Sequence, residues 1–122
     1  MSRHAILIVD DEADVRDSLG LLLELEGFEV LAAGNGAAAL ELLETRTPHL
    51  IISDFMMPWM NGREFVTRTK ERDSTRDIPV ILISGIEPAP PKPWDEFLRK
   101  PADIQVLVKL IEQLLRQREL RS

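Results

Sequence analysis

The sequence contains no cysteine, and this absence excludes several kinds of chemistry. Without thiols the chain cannot form disulfides, use a cysteine nucleophile, or hold a cysteine-ligated zinc ion or iron–sulfur cluster. Basic residues are also in the minority, since 15 Lys and Arg stand against 21 Asp and Glu and give a net charge of −6. A surface for nucleic acids needs clustered Lys and Arg, so we expect no nucleic-acid partner.

Long apolar runs are missing as well. The first run, Ala5–Val9, is too short for the apolar region of a signal peptide or for a membrane span. The 122 residues are 44% hydrophobic and 30% charged, which is ordinary for a globular domain and too apolar for a disordered chain. We therefore expect one domain over residues 1–122, located in the cytoplasm and without a membrane partner.

The apolar runs that are present are short and do not alternate with polar residues. This pattern is typical of strands that are buried on both faces of a parallel sheet. Between the runs lie amphipathic segments with helical spacing, and Asn35 and Asp103 are suitable N-caps for two of them. The order predicts right-handed βαβ units, with strands at Ala5–Val9, 28–33, 50–54, Val80–Ser84 and Glu96–Arg99, and helices at 14–26, 36–46, 63–72 and after Asp103.

Residues 85–95 interrupt this alternation. A fourth helix is expected here, yet the interval contains Pro88, Pro90, Pro91 and Pro93. A proline inside a helix removes a backbone donor and clashes with the preceding turn, at a cost of about 3 kcal/mol each. We expect an extended or polyproline-like loop, with at most one turn near Trp94.

Polar residues follow four of the predicted strands at the point where each strand ends. Asp10 and Asp11 follow the first strand, and the other ends carry Asp54, Ser84 and Lys100. The carboxyl ends of parallel strands meet at one edge of the sheet, where α/β proteins bind their ligands. Three carboxylates repel one another unless a cation neutralises them, and an oxygen-only ligand set favours Mg²⁺. With an ammonium and a hydroxyl to hold an anion, the site suits phosphoryl transfer onto Asp54.

Four segments, taken in order, resemble the signature of the receiver domain of two-component response regulators. They are ILIVDDE at 6–12, DFMMPWMNG at 54–62, ILIS at 81–84 and FLRKP at 97–101. The resemblance covers nearly the whole chain. It implies the flavodoxin-like (βα)5 fold, an α/β three-layer sandwich with parallel strand order 2-1-3-4-5. The family's fourth helix would here be shortened or replaced by the proline-rich loop.

The resemblance also implies a function. The protein would be a phosphoacceptor switch that takes a phosphoryl group onto Asp54 from the phosphohistidine of a histidine kinase or a His-phosphotransferase protein. It would catalyse only its own phosphorylation and dephosphorylation, and so would not be an enzyme in the usual sense. It would signal to a downstream effector through changed protein contacts, as a monomer or as a phosphorylation-dependent dimer.

The resemblance implies a metal site as well. Mg²⁺ or Mn²⁺ would be bound by Asp11, Asp54 and the backbone carbonyl of Met56, and Asp10 would act through a water molecule.

Further roles follow from the resemblance for the residues around the phosphoryl group. Ser84 and Lys100 would hold its oxygens, and the Lys100–Pro101 peptide would be cis. Phe97 occupies the position of an aromatic side chain that swings inward together with the hydroxyl residue, as a switch. The family signals through its fourth helix, fifth strand and fifth helix. The proline-rich loop therefore alters the surface on which Phe97 would act.

Two alternatives stay open at this point. The chain could be a receiver domain cut from a hybrid histidine kinase or from a longer regulator. It could also be a small phosphohydrolase that works through an aspartyl-phosphate. The second alternative lacks a general acid–base residue two positions after Asp54, where the sequence has Met56.

Overall fold

The computed structural model describes residues 3–121, so residues 1, 2 and 122 of the predicted domain lie outside the described part. Within it, strands and helices alternate as predicted up to the proline-rich interval. The strands are β1 (Ala5–Val9), β2 (Glu29–Ala33), β3 (Leu50–Asp54), β4 (Val80–Ser84) and β5 (Glu96–Arg99). The helices are α1 (Ala13–Leu25), α2 (Gly36–Leu42), α3 (Gly62–Glu71) and α4 (Ile104–Arg121).

The five strands form one sheet in the order β2-β1-β3-β4-β5, and every neighbouring pair is parallel. This confirms the predicted strand order. Every residue of β1, β3 and β4 is buried, which explains why their sequences do not alternate. The register pairs Val9 with Ser53 and Asp54 with Ile83, so the three central strands end at nearly the same level.

Helices cover both faces of the sheet and create two apolar layers. On one face, Leu40 of α2 and Phe65 of α3 are buried in one cluster of side chains. On the other face, Leu23 of α1 and Leu107 of α4 belong to a second cluster. Full burial of a side chain of this size contributes about 2 kcal/mol. The predicted three-layer α/β sandwich is confirmed.

Residues 85–95 form neither a helix nor a strand, as the prolines predict. The loop is nevertheless anchored in the core, because Trp94 is buried in the same cluster as the side chains of α2 and α3. Trp94 therefore supplies apolar surface on the face where a further helix would have packed. At the end of the loop, the carboxylate of Asp95 accepts hydrogen bonds from Val80 N at 2.7 Å and Lys70 Nζ at 2.9 Å.

A single arginine of α3 holds the middle of this loop. Arg63 donates a hydrogen bond from Nε to the carbonyl oxygen of Pro91 at 2.9 Å, and another from Nη2 to the carbonyl oxygen of Ala89. Its guanidinium carbon lies 5.3 Å from the ring centroid of Phe55 and 5.8 Å from that of Trp94, in cation–π range of both. The planar, five-donor guanidinium can satisfy both carbonyls and both rings at once.

The ends of the helices follow the sequence signals with one exception. Asn35 Oδ1 accepts from Ala38 N, and Asp103 Oδ1 accepts from Gln105 N, so both predicted caps are present. Helix α2, predicted to reach residue 46, ends at Leu42. Beyond it, Thr45 N bonds to Leu42 O at a three-residue separation, which tightens the chain into turns. In the described part of the chain, no helix is both long and apolar enough to cross a membrane.

Gly62 allows the chain to approach the end of β3 closely, and this gives a stability prediction. A Cβ atom there would lie 2.6 Å from the carbonyl oxygen of Asp54 and 2.9 Å from Phe55 Cα, whereas at Gly85 it would meet nothing within 4 Å. We expect Gly62→Ala to lower the free energy of unfolding by about 2 kcal/mol or more. Gly85→Ala should stay within about 0.5 kcal/mol of the wild type. Urea denaturation of both variants tests this, and equal losses would contradict it.

Candidate functional site

Three carboxylates converge at the carboxyl edge of the sheet. Asp10 follows β1 directly and Asp54 is the last residue of β3, and their exposed fractions are only 5% and 7%. Asp11 is exposed beside them. Each of the three residues offers a carboxylate oxygen, and these oxygens lie within 4.8 Å of one another. The structure thus brings together the acidic residues that the strand ends predicted.

The ammonium group of Lys100 faces two of these carboxylates. Its Nζ lies 3.2 Å from Asp54 Oδ1 and 3.7 Å from Asp10 Oδ2. Burial lowers the pKa of Lys100, but the hydrogen bond and charge of Asp54, with the charge of Asp10, outweigh that effect and raise it overall. Lys100 is therefore a fixed positive charge in this site.

The backbone fixes the position of this lysine. Lys100 N donates to the carbonyl oxygen of Ser84 at 2.8 Å, which ties the end of β5 to the end of β4. The following Lys100–Pro101 peptide bond is cis.

Asp54 has two unequal oxygens. Oδ1 accepts from Phe55 N at 3.0 Å and faces Lys100, whereas none of the residues in the described part of the chain donates a hydrogen bond to Oδ2. Burial raises the pKa of Asp54, and the hydrogen bond and charge of Lys100 oppose this increase. One carboxylate oxygen is thus held in place while the other is open to a ligand.

The turn after β1 is held by two hydrogen bonds. Asp10 Oδ1 accepts from Glu12 N at 2.9 Å, and the carbonyl oxygen of Asp10 accepts from Arg16 Nη1 at 2.7 Å. Arg16 was not among the residues predicted for the site. In the sequence, Arg16 looks like any polar residue of an amphipathic helix, so no local signal could have revealed this role.

Ser84, Phe97 and Met56 are the other residues predicted for this site. Ser84 is buried at the end of β4. Phe97 is half-buried and packs on the cluster that covers the α2–α3 face. Met56 exposes 68% of its surface. The roles predicted for these three residues stay predictions.

A cavity of about 700 Å³ begins at Asp10, Asp54 and Lys100 and extends between α1 and α4. Apolar side chains line most of it, among them Leu22 and Leu107. A largely apolar groove therefore adjoins the candidate site.

The acidic cluster fits a hard divalent cation. Its ligand atoms are carboxylate oxygens, and in the described chain it is the one group of at least three such residues at this spacing. Mg²⁺ prefers oxygen ligands and is usually bound by one or two carboxylates and several waters. Asp10, Asp11 and Asp54 meet that requirement.

Comparison with known proteins identifies the family of this chain. The family model described as "Response regulator receiver domain" matches residues 6–112. The chain belongs to the response regulator receiver domain family. The receiver fold therefore accounts for most of its length, and the resemblance found in the four sequence segments is confirmed.

Individual relatives support the assignment. The phosphate regulon transcriptional regulatory protein PhoB of Pseudomonas aeruginosa is 35% identical over 127 residues. That match covers 96% of this chain and 54% of the regulator, so the chain spans about half the length of that relative. An uncharacterised 14.6 kDa protein of Leptolyngbya boryana is 37% identical, with 93% of this chain and 91% of that protein covered.

A solved structure gives the same result. The signal receiver domain of a signal transduction histidine kinase from Syntrophus aciditrophicus superposes with a TM-score of 0.85 at 32% identity, covering 93% of this chain and 91% of that chain. As a member of this family, the present chain is a phosphoacceptor signalling switch of a two-component system, not a classic enzyme. Membership implies interaction with a histidine kinase or a phosphotransfer protein.

The raised pKa of Asp54 gives a stability prediction. A carboxyl group with a raised pKa in the folded state destabilises the fold as the pH rises through that pKa, because burial opposes its ionisation. With chelator present, Asp54→Asn should be more stable than the wild type at pH 7, and the gain should shrink as the pH falls towards 4. Urea denaturation at pH 7 and at pH 4 measures the free energy of unfolding of both proteins.

Asp17→Asn, at an exposed position of α1, is the matched control and should show no such gain. An Asp54→Asn variant that is less stable than the wild type at pH 7 would contradict the prediction.

Proposed function

We propose that Asp54 is the phosphoacceptor of this receiver domain. The phosphoryl group would come from the phosphohistidine of a histidine kinase or a His-phosphotransferase protein, in a Mg²⁺-dependent reaction. One observation supports this most directly: Lys100 Nζ is held 3.2 Å from Asp54 Oδ1 while Oδ2 receives no donor from the described residues. A nucleophilic oxygen and a cation for the phosphoryl oxygens are thus adjacent.

The reaction is an in-line transfer. Asp54 Oδ2 attacks phosphorus, the P–N bond to the donor histidine breaks, and its electron pair stays with the imidazole. Lys100 balances the negative charge of the phosphoryl oxygens as they move away from the donor. Most of the barrier reduction in such a transfer comes from positioning and charge neutralisation. Hydrolysis of the aspartyl-phosphate by water would return the chain to its starting state, so both reactions are its own.

Asp11, Asp54 and the backbone carbonyl of Met56 would bind the Mg²⁺ or Mn²⁺ ion. A bound ion of this kind neutralises the carboxylates and the transferring phosphoryl group. Asp10 would act through water, because its Oδ1 already accepts from Glu12 N and its Oδ2 faces Lys100.

The signal would leave the site through two routes. The Ser84 hydroxyl would turn towards the phosphoryl group, and Phe97 would follow it. The second route is specific to this chain. Phe55 donates its N–H to Asp54, and its ring lies beneath the guanidinium of Arg63, which holds the 85–95 loop. We propose that this loop is the output surface, in place of the family's fourth helix.

The exposed Met56 side chain stands where a phosphohydrolase would need a general acid–base group, and this favours a switch over a turnover enzyme. The receiver unit would comprise residues 1–122. Its location would be cytoplasmic, because the donor kinase obtains its phosphoryl group from ATP there.

Phosphorylation by a small molecule tests the proposal. Acetyl phosphate with Mg²⁺ should add one phosphoryl group to the wild type, detected by intact-mass spectrometry, and Asp54→Asn should remain unlabelled. Asp11→Asn should be labelled at a rate about tenfold or more below that of the wild type. It should also need a higher Mg²⁺ concentration, because it loses a metal ligand. Asp17→Asn is the control and should match the wild type. An unlabelled wild type, or equal labelling of Asp54→Asn, would overturn the proposal.

A further inference from the structure

Trp59 has an unusual conformation. Its φ is +67°, and no other non-glycine residue in the described chain has a positive φ. The turn is closed by a hydrogen bond from Met60 N to Pro58 O at 2.8 Å, which makes Trp59 the centre of a three-residue γ-turn. Such a turn is rare and strained, and a bulky side chain in this region is an outlier.

The fold does not explain this tryptophan. Its exposed fraction is 90%, the largest of any large apolar side chain in the described chain. Glycine would adopt the same backbone conformation without the strain. A strained residue whose side chain is almost fully exposed points to a function outside its own chain.

Two further apolar side chains are exposed in loops at the same edge of the sheet. Met56, in the same loop, is 68% exposed, and Ile86, in the loop after β4, is 69% exposed. Since β3 and β4 are parallel neighbours, both loops begin at the edge of the sheet where Asp54 lies. We refer to Met56, Trp59 and Ile86 as the Trp59 surface.

The position of this surface indicates what covers it. A protein that brings a phosphohistidine to Asp54 approaches the loop that starts at Phe55, in which Met56 and Trp59 follow Asp54 within five residues. Tryptophans at the centre of interfaces typically contribute a large share of the binding energy. On the other side of Asp54, Asp11, Glu12 and Asp14 are exposed. The complementary partner surface therefore combines an apolar pocket with basic side chains.

Charge argues against a second copy of this chain as the occupant. Each copy has a net charge of −6 and would bring its own acidic cluster to the same contact. We propose that Trp59 is the docking anchor for the phosphodonor protein, an inference that rests on the proposed phosphorylation of Asp54.

Trp59→Gly tests the proposal, because glycine preserves the turn and removes the ring. The probes are acetyl phosphate and the autophosphorylated histidine kinase that labels the wild type fastest in a phosphotransfer profile. We expect kcat/KM with the kinase to fall at least tenfold, through KM, while the rate with acetyl phosphate stays within twofold. Leu120→Ala removes another highly exposed apolar side chain, from α4, and should behave as the wild type with both donors.

Other outcomes overturn the inference in distinguishable ways. Unchanged transfer from the kinase to Trp59→Gly removes the anchor role. Equal losses with both donors would place Trp59 in the chemistry of the site and not in docking. A change of sedimentation on phosphorylation that Trp59→Gly abolishes, with kinase transfer unchanged, would assign the surface to a second copy. If the wild type is labelled by neither donor, the proposed function itself fails.

A fluorescence measurement provides a second test. The chain has two tryptophans, and Trp94→Phe leaves Trp59 as the only emitter. Addition of a variant of the same kinase that lacks its phosphorylated histidine should protect Trp59 from acrylamide quenching. Undiminished quenching at a kinase concentration that saturates binding would overturn the proposal.

Discussion

An ammonium group between two buried carboxylates holds the functional edge of this protein together. Asp10 and Asp54 are almost fully removed from water, and two such charges would strongly destabilise the fold without a partner. Lys100 supplies that partner at 3.2 and 3.7 Å. It reaches them because β5 lies beside β4 and because Lys100 N is bonded to Ser84 O. The strand order therefore determines that Lys100 can reach the two carboxylates of the site.

The departure from the usual receiver architecture lies away from this interaction. The proline-rich loop lacks a helix, but Trp94 fills the core and Arg63 holds the loop by hydrogen bonds and ring contacts. The same arginine lies over Phe55, the residue next to Asp54. These contacts form a continuous path from Asp54 to the 85–95 loop. For a signal to pass along it, the Arg63 contacts must have two arrangements, and phosphorylation must change their relative populations.

Much of this could be predicted from the sequence. Apolar runs without alternation gave the buried strands, the prolines excluded a helix over 85–95, and the strand-end residues located Asp10, Asp54 and Lys100. Roles that depend on tertiary contacts could not be predicted from the sequence. Arg63 and Arg16 read as ordinary helical residues, because their partners are backbone carbonyls elsewhere in the chain. The early end of α2 was missed because the apolar pattern continues to Leu43, whereas Glu44 N and Thr45 N already bond to carbonyl oxygens only three residues back.

The central claim is that the state of Asp54 reaches the 85–95 loop. Amide chemical shifts of the wild type, recorded with Mg²⁺ before and after addition of beryllofluoride, test it most directly. We expect shifts around Asp54 and also at Ala89, Lys92 and Trp94, with the loop shifts lost in Arg63→Ala while those around Asp54 remain. Shifts confined to the surroundings of Asp54, with the loop amides unchanged in the wild type, would contradict it.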